Sequence, residues 1–243
     1  KAHRQAAMAE AGLMPLPSAG DVRPMMETTL LSPAVQRKDV ERVCREAAHY
    51  GFAAVCVCLS WIETAAELLK GTDVRAVAAV DFPFGATPFS FKADAVRWAA
   101  ERGAREVNVA VSLAPLLAGD KLSVRKELQT IRQAVPDIPL KAVLETSNLS
   151  DAEIIMAVRC AEISRFEFVA GGTGFFGPTA LPAASVLCSA APSSMKVAAA
   201  GDYKSVKQIT PLAAIGVTRI LSSSPVSLLG LDPIPDEEKP AES

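Results

Sequence analysis

The sequence predicts an α/β protein built as one closed (β/α)8 TIM barrel, and three observations carry that expectation. Short apolar runs alternate with amphipathic stretches of helical period along most of the chain, which is the pattern of repeated strand-helix units. The length of 243 residues suits a fold that typically takes about 250. Half of the residues are hydrophobic and only 5% aromatic, so the core must be built from Ala, Val, Leu and Ile, the composition of parallel strands buried on both faces.

Strands are expected at 22–26, 53–58, 75–82, 106–112, 140–146, 166–172, 194–200 and 219–223, each followed by a helix. Ser123 is placed to cap a helix from Val124 to Val135, ahead of Pro136. Ser150-Asp-Ala-Glu153 reads as a capping box for a helix reaching Ala161, and Gly51 and Gly103 stand where helices should stop. Residues 1–20, rich in Ala, Met and Pro, read as an extension or short helix packed on the barrel floor, with the barrel over 21–230 and a loose acidic tail over 231–243.

A formal charge of -2 and a pI near 5.8 supply no basic face, which argues against nucleic acid or an anionic membrane as partner. No apolar run approaches the roughly 20 residues of a membrane span. Five cysteines and no signal-like stretch point to a reduced, cytoplasmic setting. Cys56 and Cys58 share one strand face, but two ligands do not make a zinc site, and no cofactor or metal is expected.

Several segments together resemble the deoxyribose-phosphate aldolases. These are Met26-Glu-Thr-Thr-Leu-Leu-Ser-Pro33, Ala54-Val-Cys-Val-Cys58, Asp81-Phe-Pro-Phe-Gly-Ala-Thr87, Lys141-Ala-Val-Leu-Glu-Thr146, Thr173-Gly174-Phe175 and Arg219-Ile-Leu-Ser-Ser-Ser224. The resemblance runs from about Met26 to Leu229 and implies a class I aldolase-like barrel, with Glu27 in place of the family's aspartate.

That family works through a lysine amine that forms a Schiff base, and the resemblance places it at Ala170 in Phe166-Glu-Phe-Val-Ala-Gly-Gly-Thr-Gly-Phe175. It likewise places Asn108 where an aspartate relays protons and Ala198 where a second lysine tunes the first. Asparagine keeps the size of aspartate but takes up no proton at neutral pH, and alanine can neither attack a carbonyl nor repel a cation. The catalytic positions Asn108, Ala170 and Ala198 are therefore expected to be degenerate. Lys196, two residues before Ala198, and Lys141 are the lysines that could be displaced substitutes. Alternatively they are charges near the strands' lower ends, paired with Glu145, Glu106 or Glu167.

The phosphate site that the resemblance implies survives as Thr173, Gly174, Gly201, Asp202, Lys204, Ser223 and Ser224, with Asp202 and Leu221 standing in for glycines. A carboxylate about 4 Å from a phosphate costs on the order of 4 kcal/mol at an effective dielectric near 20, so binding of sugar phosphate is expected to be weak or lost. Glu27, Glu145 and Asp81 form a carboxylate group that could hold a divalent metal or simply pair locally, and Thr29 and Ser147 are small polar residues of the same region. Trp61, Trp98, Phe82, Phe84, Phe89 and Phe91 mark either a contact surface or barrel packing. The functional expectation is a protein that acts through binding a protein partner, with actin or scaffolding as the cytoskeletal candidate. The alternative is residual aldolase or other lyase action through a displaced lysine.

Overall fold

The computed structural model describes residues 22–235. Eight parallel strands close into a barrel in sequence order: β1 Met26–Leu30, β2 Ala54–Cys58, β3 Arg75–Val80, β4 Glu106–Ala110, β5 Leu140–Val143, β6 Phe168–Ala170, β7 Lys196–Ala200 and β8 Val217–Ser222. The helices between them are α1 Arg37–Tyr50, α2 Ile62–Leu68, α3 Phe89–Glu101, α4 Leu113–Leu117, α5 Lys121–Ala134, α6 Asp151–Ile163, α7 Leu181–Ala190, α8 Val206–Ala214 and α9 Pro225–Leu228. None of the described helices is long and apolar enough to cross a membrane.

Strand alternation divides the apolar residues into two environments. Val55, Val57, Ala78, Val107, Val109, Ala142, Val169 and Ile220 face outward into the layer shared with the helices. The opposite face lines the barrel, where Val143, Ala170, Ala198, Ala200 and Leu221 form one small cluster and Ala54, Cys56, Val77 and Ala79 another. Phe82, just past β3, packs on both clusters.

Most element boundaries differ from expectation by a few residues, and three of the differences have a visible cause. The first strand lies at Met26–Leu30, not 22–26, because Pro24 can donate no ladder hydrogen bond and Arg23–Met25 turns as a 3-10 helix instead. The helix expected from Val124 begins at Lys121, since Asp120 accepts from the amides of Leu122 and Ser123, both at 3.1 Å. Strand β6 keeps three residues, because the Phe166 amide is spent closing α6 onto Ala161. The capping box at Ser150 and Glu153 is present, and Gly51 ends α1 in the left-handed region with φ 69°.

The expected 1–20 extension lies outside the described residues, as does 236–243. The start of the expected tail is anchored: the Leu231 amide donates to Val226, and Tyr50 donates its hydroxyl to the Asp232 carbonyl.

Candidate functional site

Low in the barrel the inward positions of four strands carry charge, and none of it is free. Lys141 Nζ lies 2.6 Å from Glu27 Oε2 and 2.9 Å from Glu106 Oε1, and Arg219 Nη1 lies 3.1 Å from Glu27. Arg75 reaches the other Glu106 oxygen at 3.2 Å from the barrel's lower edge. Burial pushes the Glu106 carboxyl up, but the Lys141 and Arg219 charges beside it prevail and hold it down at about 2. Asn108 donates from Nδ2 to Glu27 Oε1 at 2.6 Å, while its Oδ1 is buried without a partner. An aspartate in that place would set two carboxylates against each other. The amide at 108 and the glutamate at 27 are therefore complementary to one another.

One step higher the charge stops. Ala170 and Ala198 are register partners on β6 and β7, both fully buried in the apolar cluster with Val143, Ala200 and Leu221. Lys141 is fixed below them by its carboxylates. Of its expected partners only Glu106 is confirmed: Glu145 accepts from the Thr173 amide at 2.5 Å, and Glu167 binds Arg132 and the Leu140 amide. Lys196 is exposed at the start of β7, with its ammonium 5.4 Å from the Phe168 ring, at the end of the barrel away from the strand C-termini. Its Cα lies two residues before that of Ala198, on the far side from the cleft.

At the C-terminal end a cleft of about 260 Å³ is lined by Thr29, Leu31, Ser32, Thr173, Gly174, Phe175, Gly201, Asp202, Leu221 and Ser223. Active sites of this fold lie at this end. Five of the seven expected phosphate-site residues thus meet in one place; Ser224 faces the neighbouring groove beside α1 and α9, and Lys204 is turned onto the Asp202 carboxylate. Several backbone donors at or beside the cleft are already used. The Gly201 amide donates to Leu221 (3.1 Å), the Thr173 amide to Glu145, the Phe175 amide to Thr173 Oγ1 (3.3 Å) and the Ser224 amide to Ser222 Oγ (3.2 Å). A side chain at 201 would collide with Pro178 at 2.5 Å, so the glycine there serves close packing.

The three carboxylates considered as a metal group occupy separate settings. Glu27 is held by Lys141, Arg219 and Asn108, Glu145 by the Thr173 amide, and Asp81 by Thr87 (2.6 Å) and Lys92 (3.2 Å). Ser147 lies exposed in a 3-10 turn away from the cleft lining, whereas Thr29 is part of that lining. Cys56 is sealed inside the barrel, and burial, with the Glu27 charge next in weight, pushes its thiol well up. The aromatic residues divide: Phe82 and Trp61 pack on the core, while Phe84 and Phe91 stand exposed.

Sequence reasoning missed Leu31, Ser32 and Phe175 in the cleft, and a buried hub at Lys92 whose ammonium meets Glu127 at 2.7 Å, the Gly85 carbonyl at 2.8 Å and the Ala110 carbonyl at 2.9 Å. Arg219 was legible in part, because it shares the inward phase of β8 with Leu221 and Ser223.

Comparison with known proteins agrees with this architecture. No family model matches the chain. A deoxyribose-phosphate aldolase of Brevibacillus brevis is 31% identical over 205 residues, covering 84% of this chain and 93% of its own. One from Streptococcus pneumoniae serotype 19F is 32% identical over the same shares. The tetrameric deoxyribose phosphate aldolase of Aeropyrum pernix superposes with a TM-score of 0.81 at 25% identity, covering 93% of this chain and 94% of that one. Identity at this level along nearly the whole barrel, in the same closed eight-strand architecture, means that the chain belongs to the deoxyribose-phosphate aldolase family.

Proposed function

We propose that this family member does not perform the aldol cleavage its relatives are named for and works through binding. The observation that carries the reading is the pair of adjacent, fully buried alanines at 170 and 198, set in an apolar cluster with no lysine among the described residues that line the cleft. A Schiff base needs an unprotonated amine that reaches a carbonyl. Here one candidate lysine is locked in ion pairs and the other is at the far mouth. Three amides of the cleft, those of Thr173, Phe175 and Gly201, are spent within the protein, and Asp202 adds a carboxylate, which weakens the site as a phosphate cradle.

Incubation with deoxyribose 5-phosphate and borohydride, followed by mass measurement, tests this directly. An unchanged mass is expected, and a trapped adduct would sink the proposal. Restoring Asn108→Asp, Ala170→Lys and Ala198→Lys together should still leave sugar-phosphate binding poor, because the cleft amides and Asp202 are untouched. Aldolase-like affinity in that variant would refute the phosphate part. The proposed partner is a protein, with actin as a candidate by analogy to other aldolases. Co-sedimentation with filaments decides that case, and pelleting no greater than the control removes actin.

A further inference from the structure

On the outer side of β1 a groove of about 580 Å³ opens between α1, α9 and the chain that runs on from α9 to Pro233. Val43, Val226 and Leu231 supply its apolar sides. One wall is tied down, because the Leu231 amide donates to the Val226 carbonyl at 2.9 Å and the Tyr50 hydroxyl to the Asp232 carbonyl. Thr28 also lines the groove, in the outward phase that β2, β3 and β4 fill with Val55, Ala78 and Val107. It is 1% exposed, and its Oγ1 is buried with no hydrogen-bond partner among the described residues. A hydroxyl so placed costs free energy unless another atom answers it.

The charges of the groove are paired but not saturated. Glu46 of α1 is buried, and its two oxygens share a single donor, Arg42 Nη1, at 3.3 and 3.2 Å. An ionised carboxylate can accept about four hydrogen bonds. The remaining guanidinium nitrogens of Arg42 bond to nothing among the described residues, and Ser227 adds an exposed hydroxyl to the same lining.

We propose that this groove binds a small zwitterion of the free α-amino-acid class. Its ammonium would bring donors to Glu46 and Thr28, its carboxylate would take the open nitrogens of Arg42, and an aliphatic side chain would lie on Val43, Val226 and Leu231. The lining carries one cation and one anion, so a ligand with a single charge meets one attraction and one repulsion, whereas a zwitterion satisfies both. The inference does not rest on the proposed function, since it concerns the outer layer and not the cleft.

Calorimetric titration of the full chain with each of the twenty common amino acids, taken singly, tests it. An aliphatic member is expected to bind. Its amine-only and acid-only analogues, isoamylamine and 4-methylpentanoate in the case of leucine, should bind at least about tenfold more weakly. Thr28→Val replaces the unanswered hydroxyl with a methyl group; it should weaken binding about tenfold while melting stays level or rises. Glu46→Gln should weaken binding by at least a similar factor. Failure of all twenty to bind, binding confined to amino acids with charged side chains, equal binding of either analogue, or indifference to either variant would overturn the proposal. Ribose binding that Thr28→Val weakens, with no amino acid behaving so, would overturn it in favour of a neutral polyol. A borohydride-trapped adduct in the cleft would overturn the binding reading and leave this site standing.

Discussion

Two layers of one barrel interior, separated by a single alternation along each strand, are built on opposite principles. The lower holds Glu27, Glu106, Lys141 and Arg219, each answered by a charge of opposite sign; the upper holds Val143, Ala170, Ala198 and Leu221 and no charge at all. Buried ions persist where they are paired, because an unpaired one costs several kcal/mol. Any amine in the upper layer would have no carboxylate beside it. The difference teaches that charges can lie deep in a barrel as paired structure while the layer directly above them is apolar packing.

Breaking the lower layer should have the largest effect. Glu27→Leu strands Lys141 and Arg219 with Glu106 as their only acid, and we expect a loss of about 3–5 kcal/mol in urea unfolding. A loss below about 1 kcal/mol would mean that water reaches the cluster. Acid probes the same layer through Glu106. Its folded-state pKa, about 2, lies below the ordinary 4.5 of a glutamate. The stability it contributes is therefore fully present above about 4.5 and is lost as pH falls toward 2, on the order of 3 kcal/mol. The slope of stability against pH in that window should flatten in Glu106→Gln.

The upper layer is sharpened by Ala170→Lys. Overpacking alone should cost about 1–3 kcal/mol. The new amine, desolvated, would have a depressed pKa, so the folded state would bind fewer protons than the unfolded one. The cost should then be greater at pH 6 than at pH 10, and equal cost at both would show that the amine finds solvent. Smallest is a control outside the barrel. Ser150→Ala, which removes the α6 cap but touches neither layer, should cost about 1 kcal/mol at neutral pH, and the cost should shrink in acid as Glu153 protonates, because the Ser150 amide and hydroxyl hold that carboxyl below its ordinary range.

The architecture was readable because strand period, helix caps and spacing are local signals. Ser150 and Gly51 announced their helix ends correctly for that reason. Boundaries failed where a nearby residue competed, as Asp120 did with Ser123 for the start of α5. The alanines at 170 and 198 could be read directly as residues, but their shared burial could not, since it depends on Leu221 and Phe82 arriving from other strands. The partners of Lys141 were half visible for the same reason. Closure of the barrel, which sets inward side chains of β1 and β5 against each other across the interior, brought Glu27 to it.

The position of Phe82 ties together substitutions on different strands. Resting on both interior clusters at once, it packs against the cluster that holds Ala170, Ala198 and Leu221. A longer side chain introduced at 170 or 198 would meet this packing, so accommodating it calls for movement at a second and a third residue. What either position can hold is thus a joint property of four residues, and single substitutions there are read correctly only beside the double ones.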